Sequence, residues 1–98
     1  MLEVVLRPRV FDELENIADN TISEWGQTRA KSYIEDIRRQ IDRVAEFPGI
    51  GSPVYGLPPE YRKVRAGAHR IIYRQTATEL IVVRIIHERQ DVTNDLDG

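Results

Sequence analysis

The chain has 98 residues, a formal net charge of −2 and no cysteine, which is material for one small domain with a modest core and for no disulfide or thiolate metal site. Two histidines, His69 and His87, are too few for a histidine-rich metal centre, so no metal and no cofactor is expected. No apolar run approaches the ~20 residues of a membrane span, and the opening Met1-Leu2-Glu3-Val4 lacks the basic start and apolar stretch of a signal peptide, so a single cytoplasmic domain over 1–98 is expected.

The small net charge hides an asymmetry. Residues 1–48 hold ten acids and seven bases. Residues 61–74 hold Arg62, Lys63, Arg65, Arg70 and Arg74 and no acid, whereas the last eight residues hold Asp91, Asp95 and Asp97 and no base. A local basic patch of this kind argues against generic or sequence-specific nucleic-acid binding by this chain alone and leaves room for a specific anionic partner.

In chain order, residues 2–7 alternate, with Leu2, Val4 and Leu6 on one face, and read as a first strand. Pro8 suits the first turn of a helix, and Val10, Phe11, Leu14, Ile17, Ala18, Ile22 and Trp25 then form a one-sided stripe that Gly26 ends. Thr28 is the expected N-cap of a second helix with the stripe Ala30, Ile34, Ile37, Ile41, Val44 and Ala45, Tyr33 at its margin and Pro48 as its stop. A link of about two residues forces the helices into an antiparallel hairpin. Trp25 at its elbow reads as core. Residues 49–60 are a loop rich in glycine and proline. It lacks the Gly-Lys-Ser/Thr ending of a phosphate-binding P-loop.

Strands are expected over 61–66, 69–75 and 80–87. Gly67-Ala68 fits a two-residue type II′ turn. Counting outward from it sets Ala66 against His69, Arg65 against Arg70, Val64 against Ile71, Lys63 against Ile72 and Arg62 against Tyr73. One face then carries Val64, Ala66, Ile71 and Tyr73 for packing under the helices. The other carries Lys63, Arg65, Arg70, Ile72 and Arg74, and a four-residue turn over 76–79 adds Ile81, Val83, Ile85 and His87 to it. The last strand, a near-continuous apolar run, should be buried on both faces. The second face is expected to be open, and an exposed apolar patch of that kind marks a partner site. The sum is an α+β fold, β-α-α-β-β-β, with an antiparallel sheet under a helical hairpin.

Trp25-Gly26, Ala30, Tyr33, Pro48, Gly51, Tyr61-Arg62, the run His69 to Arg74 and the ending Val83-Arg84-Ile85-Ile86-His87-Glu88-Arg89-Gln90-Asp91, in this order and spacing, closely resemble the ParE branch of the RelE/ParE toxins of bacterial type II toxin–antitoxin systems. The resemblance covers nearly the whole chain. It implies the same fold, a tight complex with a co-encoded ParD-like antitoxin, and poisoning of DNA gyrase by protein–protein contact, which blocks replication and needs no catalytic residue. The alternatives are a ribosome-dependent mRNA endonuclease of the RelE type and a toxin-fold binding module without activity.

For the endonuclease, family arginines map to Arg70 and Arg89 and a family lysine to Arg62, with His87 or Glu88 left to move a proton. The tyrosine that RelE-type enzymes carry after the last strand has no counterpart. Candidate target contacts are Arg65, Arg70, His87, Glu88, Arg89 and Asp91. Candidate antitoxin contacts are Lys63, Arg65, Ile72, Arg74, Ile81, Val83 and Ile85. The bland assignments are ion pairs of the arginines with Glu79, Glu88 or Asp91, a His87 satisfied by backbone or by Asp91, and a structural His69.

Overall fold

The computed structural model describes residues 1–90. A first strand, β1 (Glu3–Leu6), leads through Pro8 into α1 (Pro8–Trp25). Helix α2 (Gln27–Glu46) follows, then a 3-10 turn over Pro48–Ile50, the two-residue strand β2 (Ser52–Pro53), β3 (Tyr61–Ala66), β4 (His69–Gln75) and β5 (Glu79–His87). The expected α+β order and helical hairpin are present. The sheet itself is mixed and five-stranded, in the order β1-β5-β4-β3-β2. β1 runs parallel to β5, and the other neighbours are antiparallel. β2 escaped the sequence because two residues, one of them proline, carry no periodicity; it pairs Ser52 with Lys63 and Pro53 with Arg62 at the sheet edge, where proline is tolerated.

The helical hairpin turns on a single residue. Gly26 has φ +90°, its N–H donates to Ile22 O at the end of α1, and its carbonyl accepts the N–H of Ala30 at the start of α2. It therefore closes one helix and caps the next, and Thr28 lies inside the first turn rather than at the expected cap. Left-handed φ of this kind favours glycine. α1 buries Val10 and Ile17, and α2 buries Ala30, Ile37, Ile41, Val44 and Ala45. They meet Val64, Ala66, Ile71, Tyr73, Leu80, Val82 and Ile85 in the main core. Trp25 departs from expectation: it is 63 % exposed, with the Arg29 guanidinium 5.1 Å from its ring centroid. Its ring borders an open cleft that Tyr33, Ala68, His69 and His87 also line, and these do not close over it.

All five cross-strand pairs counted from the Gly67-Ala68 turn are observed. Gly67 has φ +58° and Ala68 does not enter the positive region, as a type II′ turn requires. β5 is buried on both faces, again as expected. Its register breaks, however: Ile72 pairs with Arg84, but Tyr73 pairs with Val82, so β5 holds an extra residue in a bulge. The bulge reverses the alternation. Ile85 joins the helix-side core, and Ile86 takes its place on the other side with Ile72, Ile81 and Val83.

That other side is not open. Residues 54–61 fold across it, and Val54, Leu57 and Tyr61 pack on Ile72, Ile81, Val83 and Ile86. Their attachment is specific. Tyr73 Oη donates to Pro48 O at 2.7 Å and accepts the N–H of Gly51 at 3.2 Å, while Arg62 Nη1 donates to Gly51 O at 2.6 Å. Burial pushes the Tyr73 phenol upward, which keeps it the neutral donor that Pro48 needs. A Cβ at Gly51 would lie 2.2 Å from Tyr73 Oη, so only glycine fits.

β5 also continues past the end of β1. Glu13 of α1 fills the gap, accepting the N–H of Ile85 and Nε of Arg84, each at 2.8 Å. Among the described residues no helix is long and apolar enough to cross a membrane, and no group of three or more histidine or acidic side chains converges to hold a metal.

Gly51→Ala is expected to lower unfolding stability by about 1–3 kcal/mol through overpacking against Tyr73. Urea denaturation checks the magnitude, and faster exchange of the amides at 52–54 checks that the loop has detached.

Candidate functional site

Of the polar residues singled out in the sequence, Arg65, His69, Arg70, His87 and Glu88 gather at the Gly67-Ala68 end of the sheet, while Arg62 and Arg74 lie toward the other end of the hairpin. Helix α2 supplies the keystone, Tyr33. Its hydroxyl accepts the N–H of Ala68 at 2.9 Å and lies 2.6 Å from His69 Nδ1 and 3.3 Å from Ala66 O. A Cβ on Gly67 would strike the Tyr33 ring, so the turn is tailored to it. In the sequence Tyr33 stood out only as a residue at the margin of the α2 stripe; a polar-tipped aromatic there points at the edge of whatever the helix covers.

His69 and His87 are register partners with ring centroids 5.4 Å apart, and the Tyr33 and His69 rings meet edge-on at 5.6 Å. Burial, and secondarily the charge of His87, holds His69 below the usual histidine range. A neutral His69 protonated at Nε2 would accept a hydrogen bond from the Tyr33 hydroxyl at Nδ1, while the phenol oxygen takes the N–H of Ala68. His69 is structural, as expected. His87 is satisfied locally: its N–H donates to Gln90 Oε1 at 2.8 Å, its carbonyl accepts the N–H of Gln90, and Nδ1 accepts the N–H of Arg89 at 3.2 Å. The N–H of Glu88 donates to Ala68 O at 2.8 Å, so the turn after β5 is stitched to the hairpin. Asp91 and the rest of the segment expected to meet the target lie outside the described residues.

Arg65 forms an ion pair with Glu88 and donates from Nε to Gly67 O at 2.9 Å. Arg70 stands opposite it without an acid partner among the described residues, as do Lys63 and Arg74. Arg89 is exposed. Arg62 is committed to Gly51, and Arg84, within the ending motif, to Glu13.

Two placements are corrections. The aliphatic residues expected on an open docking face are enclosed: Ile72, Ile81, Val83 and Ile85 are 0, 8, 1 and 2 % exposed. The first three lie under residues 54–61, and the bulge has carried Ile85 to the helix side. The same bulge carries His87 to the helix side with its partner His69, whereas Arg70 shares the opposite face with Ile86. The expected grouping of His87 with the basic face therefore fails, and Arg70 and His87 point to opposite sides of the sheet.

Exposed apolar surface lies elsewhere. A groove of about 540 Å³ runs between the helices and β1, lined by Val4, Leu6, Phe11, Leu14, Ile34 and Ile41, with Phe11 59 % exposed. Sequence periodicity did not separate these positions from core, because the stripe on α1 is wider than the sheet beneath it.

Residues 4–92 match the model of a family described as the ParE toxin of the type II toxin–antitoxin system, parDE. The chain belongs to the ParE toxin family. A ParE1 toxin of Mycobacterium tuberculosis is 40 % identical over 93 residues, covering 94 % of this chain and 95 % of the relative. The ParE1 toxin of Caulobacter vibrioides is 29 % identical over 83 residues, 85 % of each chain. Among solved structures, the chromosomal ParDE system of P. aeruginosa superposes with a TM-score of 0.76 at 18 % identity, over 89 % of this chain and 96 % of that one, which shows the shared fold. The RelE/ParE resemblance read from the ordered motifs is thus borne out, and the ending motif of this ParE-family chain is explained in part by structure: Arg84 serves Glu13, and His87 organises the turn that follows β5.

The depressed proton affinity of His69 has a pH signature. The unfolded chain takes up its proton near the ordinary value of about 6.5, and the folded chain only at lower pH. Unfolding stability is therefore expected to fall as pH drops below ~6.5, until the folded His69 itself titrates. His69→Gln should flatten that slope between about pH 7 and 5.5. A ring-proton NMR titration of His69 with a midpoint at or above 6.5 would contradict the assignment.

Proposed function

We propose that this chain is the toxin of a type II module, that it poisons DNA gyrase through protein–protein contact, and that a ParD-like antitoxin neutralises it. The observation that carries the choice of target class is the separation of Arg70 from His87 on opposite faces of the sheet. A nuclease must bring its phosphate-holding cations and its proton-moving group to one reacting atom. Here the histidine is occupied by backbone on the helix side, and Arg62 is spent on Gly51. A protein-contact poison needs no such convergence. The ParE family match supports the same choice.

The target surface is assigned to the hairpin end, where Arg65, Glu88 and Arg89 are held by the stitched turn and Arg70 lies alongside. Lys63, Arg65 and Arg74 remain the charged contacts for the antitoxin. Its apolar anchors are reassigned from the enclosed face to the groove around Phe11, the apolar surface that the helices leave accessible.

Two measurements test this. Purified chain should inhibit supercoiling by gyrase of the source organism or trap cleaved DNA, and added antitoxin should reverse the effect; inactivity on that enzyme removes the gyrase assignment and directs work to translating ribosomes. Reversing charge at Arg65 and Arg70 together should weaken the antitoxin complex by at least ~1–2 kcal/mol in a calorimetric titration. Unchanged affinity would leave the groove around Phe11 as the whole antitoxin site.

A further inference from the structure

A cleft of about 540 Å³ opens where the end of α1 and the start of α2 meet the paired ends of β4 and β5. Trp25 and Arg29 border it from the helices, His69 and His87 from the strands. Trp25 is the only tryptophan of the chain and is 63 % exposed. An indole left this open contributes little to the fold, because most of its apolar area stays in water. Its one ring contact with a charge is the Arg29 guanidinium at 5.1 Å.

The histidines give the cleft a direction. The N–H of Arg89 donates to His87 Nδ1, so the neutral His87 ring carries its hydrogen on Nε2. His69 does the same in the tautomer that accepts from the Tyr33 hydroxyl. Neither Nε2 has a hydrogen-bond partner among the described residues. Two ring N–H donors and a guanidinium thus border one cleft, against a single acid, Glu24. In the turn that follows His87, Glu88 is already paired with Arg65, and Arg89 is exposed.

This set of groups selects its occupant. Tryptophan, tyrosine and arginine are the side chains that most often anchor protein–protein contacts. A wholly apolar occupant would bury the two N–H donors unpaired. A basic one would meet Arg29 and no free acceptor except Glu24. A carboxylate takes hydrogen bonds from both rings and from the guanidinium.

We propose that this cleft receives an acidic element of the target protein, its carboxylate on His69, His87 and Arg29 and its adjoining apolar surface on Trp25. The inference rests on the target surface assigned above, which it extends from the turn after β5 onto the helices. The cleft shares no residue with the groove around Phe11, so contacts to target and to antitoxin are separable by mutation.

Binding of the full chain to purified gyrase of the source organism, read by surface plasmon resonance beside binding of the antitoxin, tests it. Trp25→Ala should weaken the gyrase complex at least ~tenfold. Arg29→Gln should weaken it and Glu24→Gln should tighten it, each by ~1.5–5-fold. These two positions are exposed on helices, which keeps the test valid should Trp25→Ala fold poorly. Tyr55→Ala, which removes a fully exposed aromatic outside the cleft, should change gyrase affinity less than ~twofold. Antitoxin affinity should hold within ~twofold in every variant. In the unmutated chain labelled with fluorotryptophan, the single fluorine resonance should shift on adding gyrase and stay in place on adding antitoxin. Gyrase binding unchanged by Trp25→Ala overturns this inference and leaves the choice of target standing, whereas a chain that binds no gyrase overturns both. Equal losses for antitoxin and gyrase would give the cleft to the antitoxin, and tightening by Arg29→Gln with weakening by Glu24→Gln would give it to a basic partner; either result also overturns it.

Discussion

One hydroxyl holds the two sides of this fold together. Tyr73 belongs to the core under the helices, yet its Oη reaches beyond the end of α2 to Pro48 and Gly51, where the chain begins to cross to the other face. β5 must be covered twice because it is apolar on both sides. The helical hairpin provides the first cover for reasons of periodicity alone. The second cover is a segment with no regular structure before Tyr61 that packs through Val54, Leu57 and Tyr61, and it stays in place because Tyr73 and Arg62 fix the turn that precedes it. A chain of this size has little apolar area to spare, so a hydrogen-bonded anchor substitutes for a third layer.

That cover decides what the sheet can offer a partner. With the aliphatic side chains enclosed, the face around β3 and β4 offers charges, while accessible apolar surface lies in the groove beside β1. An antitoxin seated in that groove and reaching the charges of β3 and β4 would overlap the charged surface proposed for the target, which gives a physical basis for an antitoxin that grips by apolar burial and screens by charge. The turn after β5 is tied to the hairpin through Glu88 and closed on itself by His87 and Gln90, so Glu88 and Arg89 are presented from a hydrogen-bonded base.

The hairpin of β3 and β4 was legible to single-residue accuracy because Gly67 restricts the turn to one geometry and register then follows by counting. The helices were legible because their stripes are long. Three features were not. The bulge in β5 leaves no mark in a run where every neighbouring residue is apolar, so Ile85 and His87 were assigned to the wrong side. Residues 54–61 present Val54, Leu57 and Tyr61 at a helical spacing that Gly56, Pro58 and Pro59 prevent from forming a helix, and their role as a cover depends on Gly51 touching Tyr73, a contact between residues far apart in sequence. Trp25 was taken for core because its helical phase is right; only the assembled fold shows that its ring borders an open cleft beside His69 and His87. At the site, the individual basic residues were found, whereas Tyr33 needed the helices to be laid on the sheet.

The bulge divides β5 into two stretches of opposite phase. In the first, even-numbered residues face the helices; in the second, odd-numbered ones do. Insertions and deletions in this strand are therefore not equivalent. Removing the unpaired Val83 would restore a regular ladder and leave both stretches on their present faces, with His87 still opposite His69 and Ile85 still under the helices, at the loss of one apolar side chain from the far face. A relative without the extra residue would keep the same faces for its terminal motif, so endings aligned on the motif itself superpose correctly, whereas a count carried from the start of the strand would put every residue after the bulge on the wrong side.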